Sequence, residues 1–596
     1  MTRRLVALVA LAGLGAATLA CGDAPRPAKG APASVPQAVD LVALGHDVAG
    51  EVTRLRGLAA LRPIELRSTP EADFERALVE DAVALDGEAA RPAAQTRAAI
   101  TLAYYRRADR VVYVRERMPT WALAAEVTPA EVLAHEITHA LQDEHFSIFD
   151  DPKADYDHAD ALVARRALIE GDAMLVQAAY HAAHEGRPVK RALVSLGAVE
   201  AEASPQTLIR LGLFSPALLE VPAARQLALM FPYVQGEALA AALYRTGGFA
   251  LIDRAHRAPP QTTMHVFDPA AWVAGVRATP VGALPVPRGA TVKTDQSFGA
   301  LAVLGFLRAC GVAAGPELAR PWRGGRVTVA KSAAVELTLA ITTWDTEADA
   351  ARFEEAVRKC VGRGEPGLAS REHALRSGTA VALVSGVAGD VGPIAQHMYE
   401  AVGAAPERAP PFGALSLVAP PVSLGRRLEL HGAVTGDVYA SAWLAVRARV
   451  PQGFRSKTEL ANVQLMVAAG PGTVGGFMIE AAHGARAAAG MHDAMAIGMQ
   501  ASAGGKLVKL GTAEARTRLG AGTSVDWALR FAEGDRRIRT VVVRACDGVA
   551  AYAWVLSWTG AERAPELEQW VDSFEPTSAP SQACRQLVEE ATVDLP

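Results

Sequence analysis

The stretch TPAEVLAHEITHALQDEH, residues 128–145, contains three histidines and predicts a capped helix. Thr128 suits the N-cap and Pro129 the first helical position, while Glu131 stands three residues after the cap, as in a capping box. We therefore expect a helix that begins at about residue 129 and continues past His139.

Two histidines in this helix have the spacing of a metal site. His135 and His139 are four residues apart, so their side chains lie on one face, about 6 Å apart along the axis. Both imidazoles can bind one ion, and Glu136 can reach a water molecule on it. Zinc takes nitrogen ligands in a tetrahedral arrangement and leaves one position to water in a catalytic site. The pattern predicts a Zn²⁺ site with Glu136 as general base.

Two residues compete for the role of third metal ligand. His145 follows His139 by six residues, which resembles the metzincin pattern HExxHxxGxxH. That pattern implies a sharp turn at its glycine, where this chain has Gln142. On a continuous helix His145 would point about 80° away from the face of His135. Glu170 stands among apolar residues in RRALIEGDAMLVQAAY, where an unpaired carboxylate would be costly. We expect Glu170 to complete the site, with His145 as the alternative.

Composition and charge describe an ordinary folded protein of several domains. The chain has 596 residues, too many for one core, and half of them are hydrophobic. Its net charge is only −4, and the lysines and arginines are spread along the chain. This distribution argues against a nucleic-acid partner.

The N-terminus is typical of an exported protein. MTRR is followed by the apolar run LVALVALAGLGAATLA and then by Cys21, which predicts a signal peptide over residues 1–20. Cys21 is placed as at a bacterial lipoprotein cleavage site, where the new N-terminal cysteine carries lipid. The Pro/Ala/Gly-rich residues 21–38 then form a flexible tether. We expect an exported protein, attached to the membrane of the cell envelope by a lipid anchor on Cys21.

The remaining cysteines agree with an oxidising compartment. Their positions suggest Cys310–Cys360 and Cys546–Cys584 disulfides, although four cysteines permit three pairings. No two of them have the spacing of a zinc–thiolate site, so a metal would have to use histidine and carboxylate ligands.

The pattern of periodicities predicts an α+β protein with two folded parts. Residues 39–403 form a first unit, mainly helical over 39–280 and mixed α/β with a small mixed sheet over 290–403. A linker is expected at 404–413, a C-terminal α/β sandwich domain at 414–577, and a tail at 578–596. The strand-like DRVVYVRE (109–116) is a candidate edge along which an extended peptide could pair.

Several segments resemble the zincin metallopeptidases, in particular exported bacterial proteins of the gluzincin type. VLAHEITHALQDEH looks like their active-site helix, and four further segments fit the same group: ARRALIEGDA (164–173), FPYVQGEALAAALYRTGG (231–248), PPQTTMHVFDP (259–269) and TTWDTEADAARFEEA (342–356). The resemblance spans most of residues 100–360. The closing hairpin, helix and SF ending of the C-terminal domain are similar to PsbP-like lipoprotein domains.

The zincin resemblance implies roles for individual residues. His135, His139 and Glu170 would be the metal ligands and Glu136 the general base. Two acids would accept hydrogen bonds from the ligand imidazoles, namely Asp143 and Asp172. An oxyanion stabiliser is sought among Tyr233, His256 and His265.

These features together predict a zinc metallopeptidase that hydrolyses a peptide or protein substrate with a zinc-activated water. The alternative is a non-catalytic envelope lipoprotein that keeps the zincin scaffold for a binding or structural role. The intact HExxH pattern favours the enzyme, since a scaffold without activity has no chemical reason to keep Glu136.

Overall fold

The computed structural model describes the greater part of the chain and confirms the α+β class. The described residues are 41–86, 91, 94–95, 98, 101–116, 128–148, 159–184, 189–196, 218, 221–312, 315–331, 336–361, 372–387, 390–418, 432–458, 464–470, 472–481, 491–492, 495–496, 506–531, 534–548, 550–559, 564–578, 581 and 584–585. The predicted signal peptide and tether lie outside them. Within the described part, no helix is long and apolar enough to cross a membrane.

The chain divides into two compact units. The first contains residues up to 182 together with 192–420, and the second contains 183–191 and 421–596. Residues 404–413, the predicted linker, fall inside the first unit. There the Ala409 amide donates to the Gly275 carbonyl at 3.0 Å, and the Phe412 ring meets Trp272 edge to face.

Among the described residues up to 280, helices dominate and one small sheet lies between them. The elements are α1 (Leu41–Arg56), β1 (Glu65–Thr69), α2 (Glu71–Asp86), β2 (Ala103–Arg106), β3 (Val111–Arg115), α3 (Pro129–Phe146), α4 (Ala159–His184), α5 (Val189–Ser195), α6 (Ala223–Arg257), α7 (Thr263–Phe267) and α8 (Pro269–Val273). Helix α6 contains a kink at Gly247 and Gly248, whose backbone angles are not helical.

The small sheet corrects the prediction of a free edge at residues 109–116. Its strand order is β1-β3-β2, with β1 parallel and β2 antiparallel to β3. Because β3 is the central strand, both of its edges are paired with neighbours. The strand beside α3 is β2, and this strand provides the edge nearest to the helix.

Helix α3 forms where its sequence predicts. The Thr128 side chain accepts from the Glu131 amide, the Glu131 side chain accepts from the Thr128 amide, and Pro129 is the first helical residue. The helix ends at Ser147, which has a left-handed φ of 49°. Its apolar face packs against α1, β2, β3 and α4 in one core, whose members on α3 include Leu133, Ile137 and Leu141.

Helices α4 and α6 approach each other until their backbones touch. A Cβ added to Gly171 on α4 would lie 2.0 Å from the carbonyl oxygen of Gly236 on α6. A Cβ on Gly236 would lie 2.1 Å from the carbonyl oxygen of Ala167. Only glycine fits at these two positions, so the contact brings α6 close to the part of α4 that carries Glu170.

The rest of the first unit is built on a five-stranded sheet. Its elements are β4 (Thr291–Ser297), α9 (Ala300–Ala309), α10 (Pro316–Ala319), β5 (Trp322–Lys331), β6 (Glu336–Trp344), α11 (Glu347–Val361), β7 (Glu372–Ser377), β8 (Ala380–Ser385) and α12 (Gly392–Glu400). The strand order is β4-β5-β6-β8-β7, and each neighbouring pair is antiparallel. The prediction placed a mixed sheet here, whereas the mixed sheet of this unit is the smaller one containing β3.

Among its described residues, the second unit is built mainly from two antiparallel sheets and contains one helix that packs against them. Its elements are β9 (Ala433–Thr435), β10 (Val438–Ser441), β11 (Val446–Arg449), β12 (Arg455–Lys457), β13 (Gln464–Gly470), β14 (Thr473–Ala481), β15 (Lys506–Thr517), β16 (Gly520–Phe531), β17 (Gly534–Ala545), β18 (Ala550–Thr559), α13 (Pro565–Asp572) and β19 (Glu575–Pro576). The sheets have the orders β19-β11-β10-β9 and β12-β13-β14-β18-β17-β16-β15. Their shared core contains Tyr439, Phe477, Trp554, Trp570 and Phe574.

The predicted disulfides are shown in part. Cys546 and Cys584 are bonded, which confirms the pairing expected for the second unit. Cys310 is also disulfide-bonded. The predicted partner Cys360 has its side chain outside the described ones, so that pairing stays a prediction.

Candidate metal centre

Helices α3 and α4 bring three potential metal ligands together. The Nε2 atoms of His135 and His139 lie 3.1 Å apart. The Oε2 atom of Glu170 lies 3.3 Å from the first and 3.4 Å from the second. The three residues are 7%, 8% and 6% exposed. Each polar group is therefore shielded from bulk water and contacts the other two. This buried trio could hold a metal ion.

The spacing of the three atoms fits a tetrahedral centre. Nitrogen and oxygen ligands about 2.0–2.1 Å from a zinc ion stand about 3.3–3.4 Å from one another at the tetrahedral angle. The observed separations of 3.1, 3.3 and 3.4 Å agree with that figure. Two imidazoles and one carboxylate would leave the fourth position of a tetrahedral ion to another ligand.

Hydrogen bonds and charges around the ligand trio offset the electrostatic cost of its burial. Burial by itself would raise the pKa of Glu170, but hydrogen bonds from His135 and His139 and the charge of Arg166 keep it well below the usual range. Burial by itself would lower the pKa of His139, yet Glu170, Glu136 and Gln142 outweigh it and raise that pKa to about 9. The metal-free cluster therefore carries a proton that a metal would displace.

Glu136 lies beside the cluster and is anchored by the small sheet. Its Oε2 accepts a 2.9 Å hydrogen bond from the backbone amide of Tyr105 on β2. Burial raises the pKa of the Glu136 carboxyl, although His139 and His135 act in the opposite direction. A half-buried carboxylate with a raised pKa next to a ligand trio is suited to taking up and returning a proton.

Arg166 and Tyr233 complete the surroundings of Glu170. The Nε atom of Arg166, one helical turn before Glu170 on α4, lies 3.5 Å from Glu170 Oε1, the oxygen that faces away from the histidines. Arg166 also contacts the Tyr233 side chain. The Tyr233 ring, on α6, stacks over His135 with 6.2 Å between centroids.

Among the three proposed oxyanion stabilisers, Tyr233 alone stands beside the ligand trio. His256 is buried and bonds to Asp172 at 2.9 Å. His265 bonds to the Val276 carbonyl at 2.7 Å, and burial lowers its pKa to about 4. Both of these histidines therefore have structural partners of their own.

His145 lies apart from the trio. Its Nε2 donates to the Ala59 carbonyl at 2.8 Å, near the exposed end of α3. The continuous helix turns this side chain away from His135 and His139, as the geometry of an unbroken helix requires.

The hydrogen-bond acceptor that the structure shows for a ligand imidazole differs from the predicted ones. The Nδ1–H of His139 donates to Gln142 Oε1 at 2.9 Å, so an amide takes the place that was predicted for a carboxylate. Asp172 does not contact the imidazole of His139 but accepts a hydrogen bond from Gln142 Nε2 at 2.9 Å. Asp143 accepts from the Tyr105 hydroxyl at 2.9 Å. The predicted direct contacts of Asp143 and Asp172 with the imidazoles are therefore wrong.

Two residues near the centre were missed from the sequence. The sequence marks Gln142 only as a residue unsuited to a sharp turn, and it carries no prediction for Arg166. Both have a helical signal, because Gln142 follows His139 by three residues and Arg166 precedes Glu170 by four, which places each pair on one face.

No protein-family model matches the chain, and a comparison with curated proteins finds no match either. The assignment of the centre therefore rests on the geometry of the described residues.

Proposed function

We propose that this protein is a zinc-dependent peptidase of the zincin type. The observation that carries the proposal is the convergence of His135, His139 and Glu170 at tetrahedral spacing with Glu136 beside them. A zinc ion at this position would supply Lewis acidity for the attack of water on a peptide carbonyl. Zinc is preferred to magnesium or calcium because two of the three donors are imidazoles.

Glu136 is the proposed general base. Its carboxylate would accept the proton of the attacking water and pass it to the amine that leaves. Burial raises its pKa, which makes the carboxylate a stronger base for the uptake of that proton. The Tyr105 amide would hold the carboxylate in place between these steps.

Tyr233 is the proposed oxyanion stabiliser. Its ring lies over His135, and its side chain is in contact with Arg166, a permanently charged group. A hydroxyl held by a cation is a good donor to an oxygen that gains negative charge, and this contribution is often the largest one in acyl transfer.

The proposed setting is the bacterial cell envelope. The order of a basic start, an apolar run and Cys21 supports export with a lipid anchor. The Cys546–Cys584 disulfide agrees with an oxidising compartment. A peptide or protein at the outer side of a membrane is the proposed substrate.

The Glu136→Gln variant tests the enzymatic proposal. It keeps the shape of the side chain and removes the base, so we expect zinc binding to persist and the rate of peptide hydrolysis to fall by about 10²–10⁴-fold. The measurement is zinc content by mass spectrometry together with cleavage of a fluorogenic peptide library. Wild-type protein that holds zinc and cleaves no member of the library would favour the non-catalytic alternative.

A further inference from the structure

Gln142 connects a candidate metal ligand to a buried hydrogen-bond network. It is 0% exposed, and its amide oxygen accepts from the Nδ1–H of His139. We propose that Gln142 is a positioning residue that keeps His139 in the tautomer whose Nε2 lone pair faces the metal. This proposal rests on the proposed zinc site.

The orientation of the Gln142 amide follows from its other partners. Its Nε2 lies 3.0 Å from the carbonyl oxygen of Ile169 and 2.9 Å from Asp172 Oδ2. A carbonyl oxygen can only accept a hydrogen bond, so the atom that faces Ile169 must be the amide nitrogen. Oε1 is then the atom that faces His139.

This orientation decides the tautomer of His139. An amide oxygen is an acceptor only, so Nδ1 of His139 must carry a hydrogen. In a neutral imidazole the proton on one nitrogen leaves the lone pair on the other, here Nε2. That is the atom that points at His135 and Glu170.

Four helices keep the network in place. Asp172 on α4 accepts from Arg56 on α1 through Nε at 2.8 Å and through a second nitrogen at 3.1 Å. It also accepts from His256 on α6 at 2.9 Å. Gln142 is the member contributed by α3. Arg56 and Asp172 are buried completely, so the carboxylate that accepts from the Gln142 amide is itself held by a buried ion pair.

The other imidazole lacks such a partner among the described residues. His135 Nδ1 is buried and makes no hydrogen bond within that part of the chain. The positioning of the two histidines is therefore unequal, and the contribution of Gln142 is confined to His139. Partners of this kind change metal affinity by roughly 10–100-fold in metal sites generally.

The experiment compares full-length wild type with Gln142→Met, which has a similar volume and no amide. Zinc affinity is measured by competition with a chelator, and the proton on each ring nitrogen of His139 is located by NMR of the zinc-loaded wild type labelled with ¹⁵N-histidine. We expect a proton on Nδ1 of His139 and an affinity loss of roughly 10–100-fold in Gln142→Met. His145→Gln, at the end of the same helix, is the matched control and should stay within about threefold of wild type.

Several outcomes would overturn the proposal. Gln142→Met that binds zinc within about threefold of wild type shows that the amide does not position the ligand. An unprotonated Nδ1 on His139 in the zinc-loaded wild type shows the same, and this reading holds even if Gln142→Met fails to fold. Wild-type protein that binds no zinc contradicts the proposed function itself, whereas equal binding by the two proteins contradicts only the role of Gln142.

Discussion

At the scale of single residues, the candidate centre is a balance between buried charges and the few hydrogen bonds that stabilise them. Glu170 is ionised among apolar neighbours because two imidazoles and Arg166 surround it. His139 holds a proton more tightly than an exposed histidine because Glu170 and Glu136 lie close to it. A metal ion would replace that proton as the positive charge of the cluster.

The raised pKa of His139 predicts that zinc binding depends on pH. The metal-free cluster keeps its proton up to a pKa of about 9, so zinc must displace it at lower pH. Affinity should therefore rise with pH, by up to about tenfold per unit, and level off above that pKa. Chelator competition at several pH values measures this slope. An affinity that stays constant between mildly acidic and alkaline solution would contradict the prediction.

The buried ion pair of Asp172 with Arg56 predicts a large contribution of Asp172 to the free energy of unfolding. Burial would raise its pKa, but the charge of Arg56 and the hydrogen bond from His256 keep the pKa below its usual value of 3.8. Its contribution to folding is therefore fully present above that value and is lost as the pH falls through the lower folded pKa.

Replacing Asp172 by Asn should lower the free energy of unfolding by about 3–5 kcal/mol, because the Arg56 guanidinium stays buried with a weaker partner. The control is Asp253→Asn, since Asp253 also bonds to Arg56 but is 25% exposed and should contribute less. Denaturant unfolding followed by circular dichroism measures both. Equal effects of the two substitutions would show that Asp172 is not the principal partner.

At the scale of the elements, the geometry of the site depends on the crossing of α4 and α6. Gly171 and Gly236 allow the two backbones to touch, and the adjacent Glu170 and the nearby Tyr233 take their positions from this contact. Either glycine can be tested by the addition of one methyl group.

We expect Gly171→Ala to destabilise the protein by about 1–3 kcal/mol, because a Cβ there would lie 2.0 Å from a carbonyl oxygen and force the helices apart. It should also weaken zinc binding, since Glu170 is the next residue on α4. Gly50→Ala is the matched control: Gly50 is in helix α1, and a Cβ there meets nothing within 4 Å. That substitution should stabilise the protein by about 0.5–1 kcal/mol. Thermal unfolding and zinc titration of both variants check this, and equal effects would refute the role of the crossing.

Helices with strong local signals were predicted well, and the sheet beside them was not. The capping residues Thr128, Pro129 and Glu131 define the start of α3 without any tertiary information. Strand β2 has only four residues, and strand pairing depends on partners distant in sequence, so the edge was assigned to β3 instead. The hydrogen bond from the Tyr105 amide of β2 to Glu136 has no signal in the sequence.

At the scale of the whole molecule, the sequence predicts two folded parts of different character and the structure shows two compact units. Changes of periodicity mark the transition from helices to strands, since the periods of 3.6 and 2 are local properties. Local composition does not report tertiary packing, however. The Pro- and Ala-rich residues 404–413 have the composition of a linker, yet they pack against Gly275 and Trp272 of the first unit.

The candidate ligands were predictable because each has a signal of its own. His135 and His139 share a helical spacing, and Glu170 is a carboxylate in an apolar helix. The network behind them was not predictable. Arg56, Asp172 and His256 are separated by 116 and 84 residues, and only the folded chain brings them together.

The zinc content of Glu170→Ala and His145→Ala tests the central claim most directly. The structure places Glu170 with His135 and His139 and places His145 against the Ala59 carbonyl. After dialysis against zinc and a weak chelator, elemental analysis should find one zinc per chain in wild type and His145→Ala, and far less in Glu170→Ala. A wild type without zinc, or zinc retained by Glu170→Ala and lost by His145→Ala, would contradict the account.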